Sequence, residues 1–169
     1  GYENLETNED ISNLIDKLTD DPDTKIIFLT AALCDYKTES SDKYGERLKT
    51  DTDKNVQLNL IPAEKIVAKI RKKRKDIFAV AFKTTCGATA DEQYIAGLHL
   101  LKSSSVNLVL ANDVKTRLNM IITPEEARYC ETTNREEVLN ELIDMTIKRS
   151  HLTFTRSTVV AGDCIPWNS

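Results

Sequence analysis

The sequence predicts an α/β domain: a mainly parallel sheet with helices on both faces and antiparallel strands at its edge. Two observations carry this. Residues 26–30 ("IIFLT"), 76–82 ("DIFAVAF") and 106–113 ("VNLVLAND") include apolar runs without alternation, as in strands buried on both faces. Between them lie amphipathic stretches at helical spacing, the alternation that builds parallel sheets.

Each element follows from its own residues. Ile11, Leu14, Ile15 and Leu18 fall on one face of a first helix, with Thr7 and Asp10 placed as a capping box. "DDPD" ends it, and residues 26–30 read as a fully buried strand. The polar stretch 37–55 reads as a loop, and "VQLNLI" alternates like a half-buried strand. Pro62 suits the first turn of a helix carrying Ile66, Val67 and Ile70. "RKKRK" at its end is either an anion patch or, as the acidic whole favours, a solvated cationic terminus. After "DIFAVAF" comes a helix with Ile95, Leu98 and Leu101 inward, then "VNLVLAND". "NMIIT" reads as a fourth strand, with "ARYCET" as its partner. Thr133 is placed to cap a last helix, with Glu136 at the box position and Val138, Leu139, Leu142 and Ile143 on its inner face. "STVVA" in the tail has strand character.

Bulk properties set limits on function. A chain of 169 residues, 40% hydrophobic and 30% charged, is sized for one core. A net charge of −4 argues against general nucleic-acid binding. No apolar run spans a membrane, and the acidic start "GYENLETNED" is unlike a signal peptide. Cys34, Cys86, Cys130 and Cys164 are scattered without metal-site spacing, so no metal site is expected and a reduced, cytoplasmic protein is.

Ligands of open α/β sheets sit beyond the carboxyl ends of the strands. Three polar features fall there: "AALCDY", "FKTTCG" and "AND". Ala31 and Ala32 leave room for a base or ribose against the main chain, and Asp35 can accept from it; an aspartate turn explains the same residues. Phe82 offers a stacking surface or a core residue, and Lys83 can reach a phosphate. Asn112 and Asp113 form either a ligand contact or an Asx turn. Arg47 and Lys49, two apart, point the same way in extended chain and suit a triphosphate; an exposed loop pair is the alternative. Cys86 as a nucleophile would need a base, and His99 follows on the next helix.

Taken together, "AALCDYK", "ERLK", "VQLNLIPAEKIVA", "VAFK" and "VNLVLANDV" resemble, in order and spacing, the phosphopantothenate–cysteine ligase family, whose domain is often fused to a flavin-dependent decarboxylase. The resemblance covers residues 5–147 and implies a Rossmann-like fold, with 1–150 a ligase-like domain lacking the family's N-terminal strand–turn–helix and 151–169 a tail of no assigned role. It implies ligation of 4′-phosphopantothenate and cysteine through an acyl-nucleotidylate, with CTP or ATP as cosubstrate and Mg²⁺. Ala31, Ala32, Asp35, Phe82 and Lys83 then face the nucleotide, and Asn112 and Asp113 the substrate. Arg47 and Lys49 stand where the family has its catalytic lysine pair. A homodimer through "VQLNLI" and "NMIIT" is implied, with an upstream domain in the whole protein. The alternative is a non-catalytic module of the same fold that binds a nucleotide or a partner.

Overall fold

A computed structural model describes residues 5–31, 33, 36–38, 59–63 and 65–151. The elements are α1 (Asn8–Asp20), β1 (Ile26–Leu29), β2 (Tyr36–Thr38), β3 (Leu60–Pro62), α2 (Ile66–Lys73), β4 (Phe78–Thr85), α3 (Ala90–Ser104), β5 (Leu108–Asp113), β6 (Asn119–Ile122), β7 (Arg128–Thr132) and α4 (Arg135–Ser150). Five strands form one sheet in the order β1-β4-β5-β6-β7. The first three run parallel, and β6 and β7 add on antiparallel. β2 and β3 make a separate antiparallel ribbon.

The alternation of side chains along each strand builds two apolar layers. Ile27, Leu29, Ala79, Ala81, Val109, Ala111, Met120 and Ile122 meet Ile15, Ile66, Ile70 and Leu101 from α1, α2 and α3. On the opposite face Phe78, Val80, Leu108, Leu110 and Ile121 meet Val138, Leu142 and Met145 of α4. This is the Rossmann-like arrangement expected, a mainly parallel sheet with helices on both faces.

Local departures have identifiable causes. Phe28 is 41% exposed, so β1 is not fully buried: it borders the described sheet, and on its α4-side face Ile26 still packs but Phe28 lies open. Pro62 belongs to β3, opposite Tyr36, and α2 starts only after Lys65. Of "VQLNLI", Leu60 and Ile61 are in β3, and the earlier residues apart from Asn59 lie outside those described. Ile95 points outward at 62% exposure. The buried stripe of α3 is Gln93, Gly97, Leu101 and Ser104, and Ile95 lies about 200° from Gln93 around the axis. Asn134, not Thr133, caps α4, accepting from Glu136 N and Glu137 N. "STVVA" lies outside the described residues.

Arg71, Lys73 and Arg74 at the cationic end of α2 are spent on the fold. Lys73 pairs with Asp16 and Asp20, and Arg74 with Asp76. Arg71 donates to the carbonyls of Ser105 and Lys75 and to Asn107 Oδ1. Asp76 is held down at about 2, chiefly by its hydrogen bond from Arg74.

Candidate functional site

β1, β4 and β5 end on one side of the sheet, and the polar motifs of the sequence collect there. The β4–β5 register sets Phe82 beside Leu110, Lys83 beside Ala111, Thr84 beside Asn112 and Thr85 beside Asp113. Alternation then divides them. Phe82, Thr84 and Asn112 lie on the face of α4; Lys83, Thr85 and Asp113 lie on the face of α3. The expected cluster is therefore divided into two groups on opposite faces of one edge.

On the α4 face, Phe82 is half-buried against the layer that α4 covers. Thr84 Oγ1 donates to Asn112 Oδ1 at 3.2 Å, which leaves the Asn112 amide N–H groups directed to other partners at a half-buried position. An aromatic face beside a pre-set amide is a surface for a flat, hydrogen-bonding group.

On the α3 face, Asp113 is 2% exposed and fully engaged. Its Oδ1 accepts from the backbone N–H of Thr116 at 2.8 Å, Lys115 at 2.9 Å and Gly87 at 3.0 Å. Its Oδ2 accepts from Thr85 Oγ1 at 2.8 Å and Ala88 N at 3.0 Å. These donors, led by Thr116 N–H, hold its carboxyl well below the usual carboxylate range. The carboxylate ties the loop after β4 to the turn after β5. Gly87 sits in that loop at φ +73°, where a side chain would be strained. The start of α3 is closed by its own capping box: Thr89 Oγ1 accepts from Glu92 N, and Glu92 accepts from Thr89 N. Asp91 alongside is paired with Arg128 at 2.6 Å.

Ala31 is exposed just beyond β1, where it was expected to face a ligand. Ala32, Asp35, Arg47 and Lys49 lie outside the described residues. Cys86 is a free, exposed thiol, and His99 is on the exposed side of α3. The sequence reading missed Thr84, which orients Asn112, and Asn119, which β6 places directly opposite Asn112. The alternation of β4 and β5 was the available signal, once their register is known. A cavity of about 380 Å³ opens at the other end of the sheet, between Phe78, Glu125 and Arg149. Its Arg149 is already paired with Glu125 at 2.9 Å, and it lies away from the carboxyl edge.

Among the described residues no group of three His, Cys, Asp or Glu side chains could hold a metal ion. With both oxygens of Asp113 occupied, the described part of the edge does not fit Mg²⁺. No helix among the described residues is long and apolar enough to cross a membrane.

Parallel strands with helices on both faces and a polar carboxyl edge define the class: an open, Rossmann-like α/β domain. The chain belongs to the family described as the DNA/pantothenate metabolism flavoprotein C-terminal domain, which its residues 2–148 match. A search of curated proteins found no match. Among solved structures, it is similar to the DNA/pantothenate metabolism flavoprotein from Streptococcus pneumoniae, with 16% identity and a TM-score of 0.66 over 87% of this chain and 72% of that one. The C-terminal domain of the coenzyme A biosynthesis bifunctional protein CoaBC is similar at 14% identity and a TM-score of 0.59, over 86% of this chain and 63% of that one. A Cab2 mutant in complex with phosphopantothenate-cysteine is similar at 18% identity and a TM-score of 0.50, over 73% of this chain and 44% of that one. These likenesses establish the fold.

Proposed function

We propose that this chain is a ligase domain of coenzyme A biosynthesis, joining 4′-phosphopantothenate to cysteine. The observation that carries it is the family match over residues 2–148. The polar edge, with Phe82, Thr84 and Asn112 on one face, supplies a place for the chemistry.

A carboxylate resists attack by an amine because its leaving group would be oxide. In the proposed course, the carboxylate of phosphopantothenate attacks the α-phosphorus of CTP or ATP and pyrophosphate leaves. The amine of cysteine then attacks the acyl-nucleotidylate, the amide forms, a proton is lost, and the nucleoside monophosphate departs. Phe82 borders the base, and the Asn112 amide donates to the activated acid. Ala31, Ala32 and Asp35 line the nucleotide side, and Lys83, on the α3 face, would reach the phosphates across the strand ends. Arg47 and Lys49 offset the negative charge that develops as pyrophosphate leaves.

The test is a coupled pyrophosphate-release assay on the full-length protein with phosphopantothenate and cysteine, run with CTP and with ATP. Release that requires the acid, together with an amide product by mass spectrometry, is expected. Arg47→Ala and Lys49→Ala are each expected to lower kcat by about a hundredfold, the scale of one lost transition-state charge contact. Unchanged kcat in both removes the pair from the mechanism. Nucleotide binding without any product would instead support a non-catalytic binding module.

A further inference from the structure

The polar edge on the α4 face continues past Asn112. β6 pairs antiparallel with β5 and sets Asn119 directly opposite Asn112, so the two amides lie side by side on that face. Asn119 is 4% exposed. Its Nδ2 donates to the carbonyls of Arg117 at 2.9 Å and Thr132 at 3.1 Å. Both amide hydrogens are thus spent on carbonyl oxygens, which fixes the plane of the group and the direction of its Oδ1. That oxygen accepts from Arg135 Nη1 at 3.4 Å.

Arg135 is the first residue of α4, immediately after its Asn134 cap, and is exposed. A cation there opposes the positive end of the helix dipole, so the placement costs the helix stability. The usual compensation, an ion pair, is not made among the described residues. Arg74, Arg128 and Arg149 each hold a carboxylate, from Asp76, Asp91 and Glu125. Arg135 has no carboxylate partner among the described residues. The nearby Glu137 is turned to Thr132 Oγ1 at 2.9 Å. A guanidinium held by one neutral oxygen keeps most of its donor fork for an outside anion. It does so beside the Asn112–Thr84 pair.

We propose that Arg135, positioned by Asn119, binds a phosphate group of the substrate at this edge. This rests on the ligase reading above, which brings two phosphate sources to the site: a nucleoside triphosphate and 4′-phosphopantothenate. Titration calorimetry on the full-length protein, with each compound separately, distinguishes them. Arg135→Ala is expected to weaken binding of one by about tenfold or more and leave the other within about twofold, with no fall in melting temperature, since the cation opposes the helix dipole. Arg135→Lys should recover part of the loss, since it keeps the charge but not the fork. Wild-type binding of either compound with no change in Arg135→Ala overturns this proposal alone. A wild type that binds neither overturns it together with the ligase reading.

Discussion

Five donors converge on the two oxygens of Asp113, and this governs what the residue can do. A carboxylate so occupied sets the shape of two loops and has little capacity left for a ligand. Its lowered folded-state pKa fixes the sign of its pH effect. The stabilisation is fully present above the unfolded carboxyl value of about 3.9 and is lost as pH falls through the lower folded value. In Asp113→Asn one acceptor becomes a donor facing N–H groups, so melting temperature should fall at pH 7. The gap between wild type and variant should narrow steadily from about pH 4 to pH 2. Circular-dichroism melts across that range check this; a gap that stays constant means the charge contributes nothing. From sequence, "AND" marked the carboxyl end of β5, but the inward direction of Asp113 depends on where Gly87 and Ala88 return, which is tertiary information.

Among the elements, α3 shows where periodicity gives out. "YIAGLHLL" is apolar on several sides, so spacing alone does not choose the buried face. Gly97 does. A Cβ there would stand 2.3 Å from Ile122 Cδ1 and 3.4 Å from Ala111 Cβ. The helix is thus seated directly on β5 and β6. Gly97→Ala gains helix propensity but overpacks this contact, and is expected to destabilise the fold by about 1–3 kcal/mol. Urea denaturation measures it; a stabilised variant would show that the helix lifts freely. The cap of α4 is a smaller case of the same limit. Thr133 and Asn134 are adjacent and both can cap, and the choice falls to Asn134 because Thr132 Oγ1 accepts its N–H and bends the chain there. The strands were more legible than the helices because "FAVAF" and "LVLAN" are apolar on both faces in a way only a covered parallel strand requires.

Over the whole molecule, the mixed sheet with its antiparallel edge and the two helical layers were readable from alternation, whereas the strand order β1-β4-β5-β6-β7 was not. "NMIIT" was expected at a dimer interface, but Met120, Ile121 and Ile122 are each 0% exposed within a single chain, closed in by β5, β7 and the helices on either face. A strand reads as apolar whether its cover comes from its own chain or from a partner. The β2–β3 ribbon differs: Tyr36 is 59% and Leu60 58% exposed, although both stand in a paired strand. A two-stranded ribbon is marginal alone in water, and burial against a second copy would supply the missing apolar contact. If the protein is a homodimer, this ribbon is where it forms. Leu60→Glu should then convert dimer to monomer in light scattering coupled to size exclusion, because it places a charge in a desolvated contact. The five-stranded sheet should melt as before, since Leu60 lies outside both of its apolar layers. A dimer that survives Leu60→Glu excludes the ribbon as its interface.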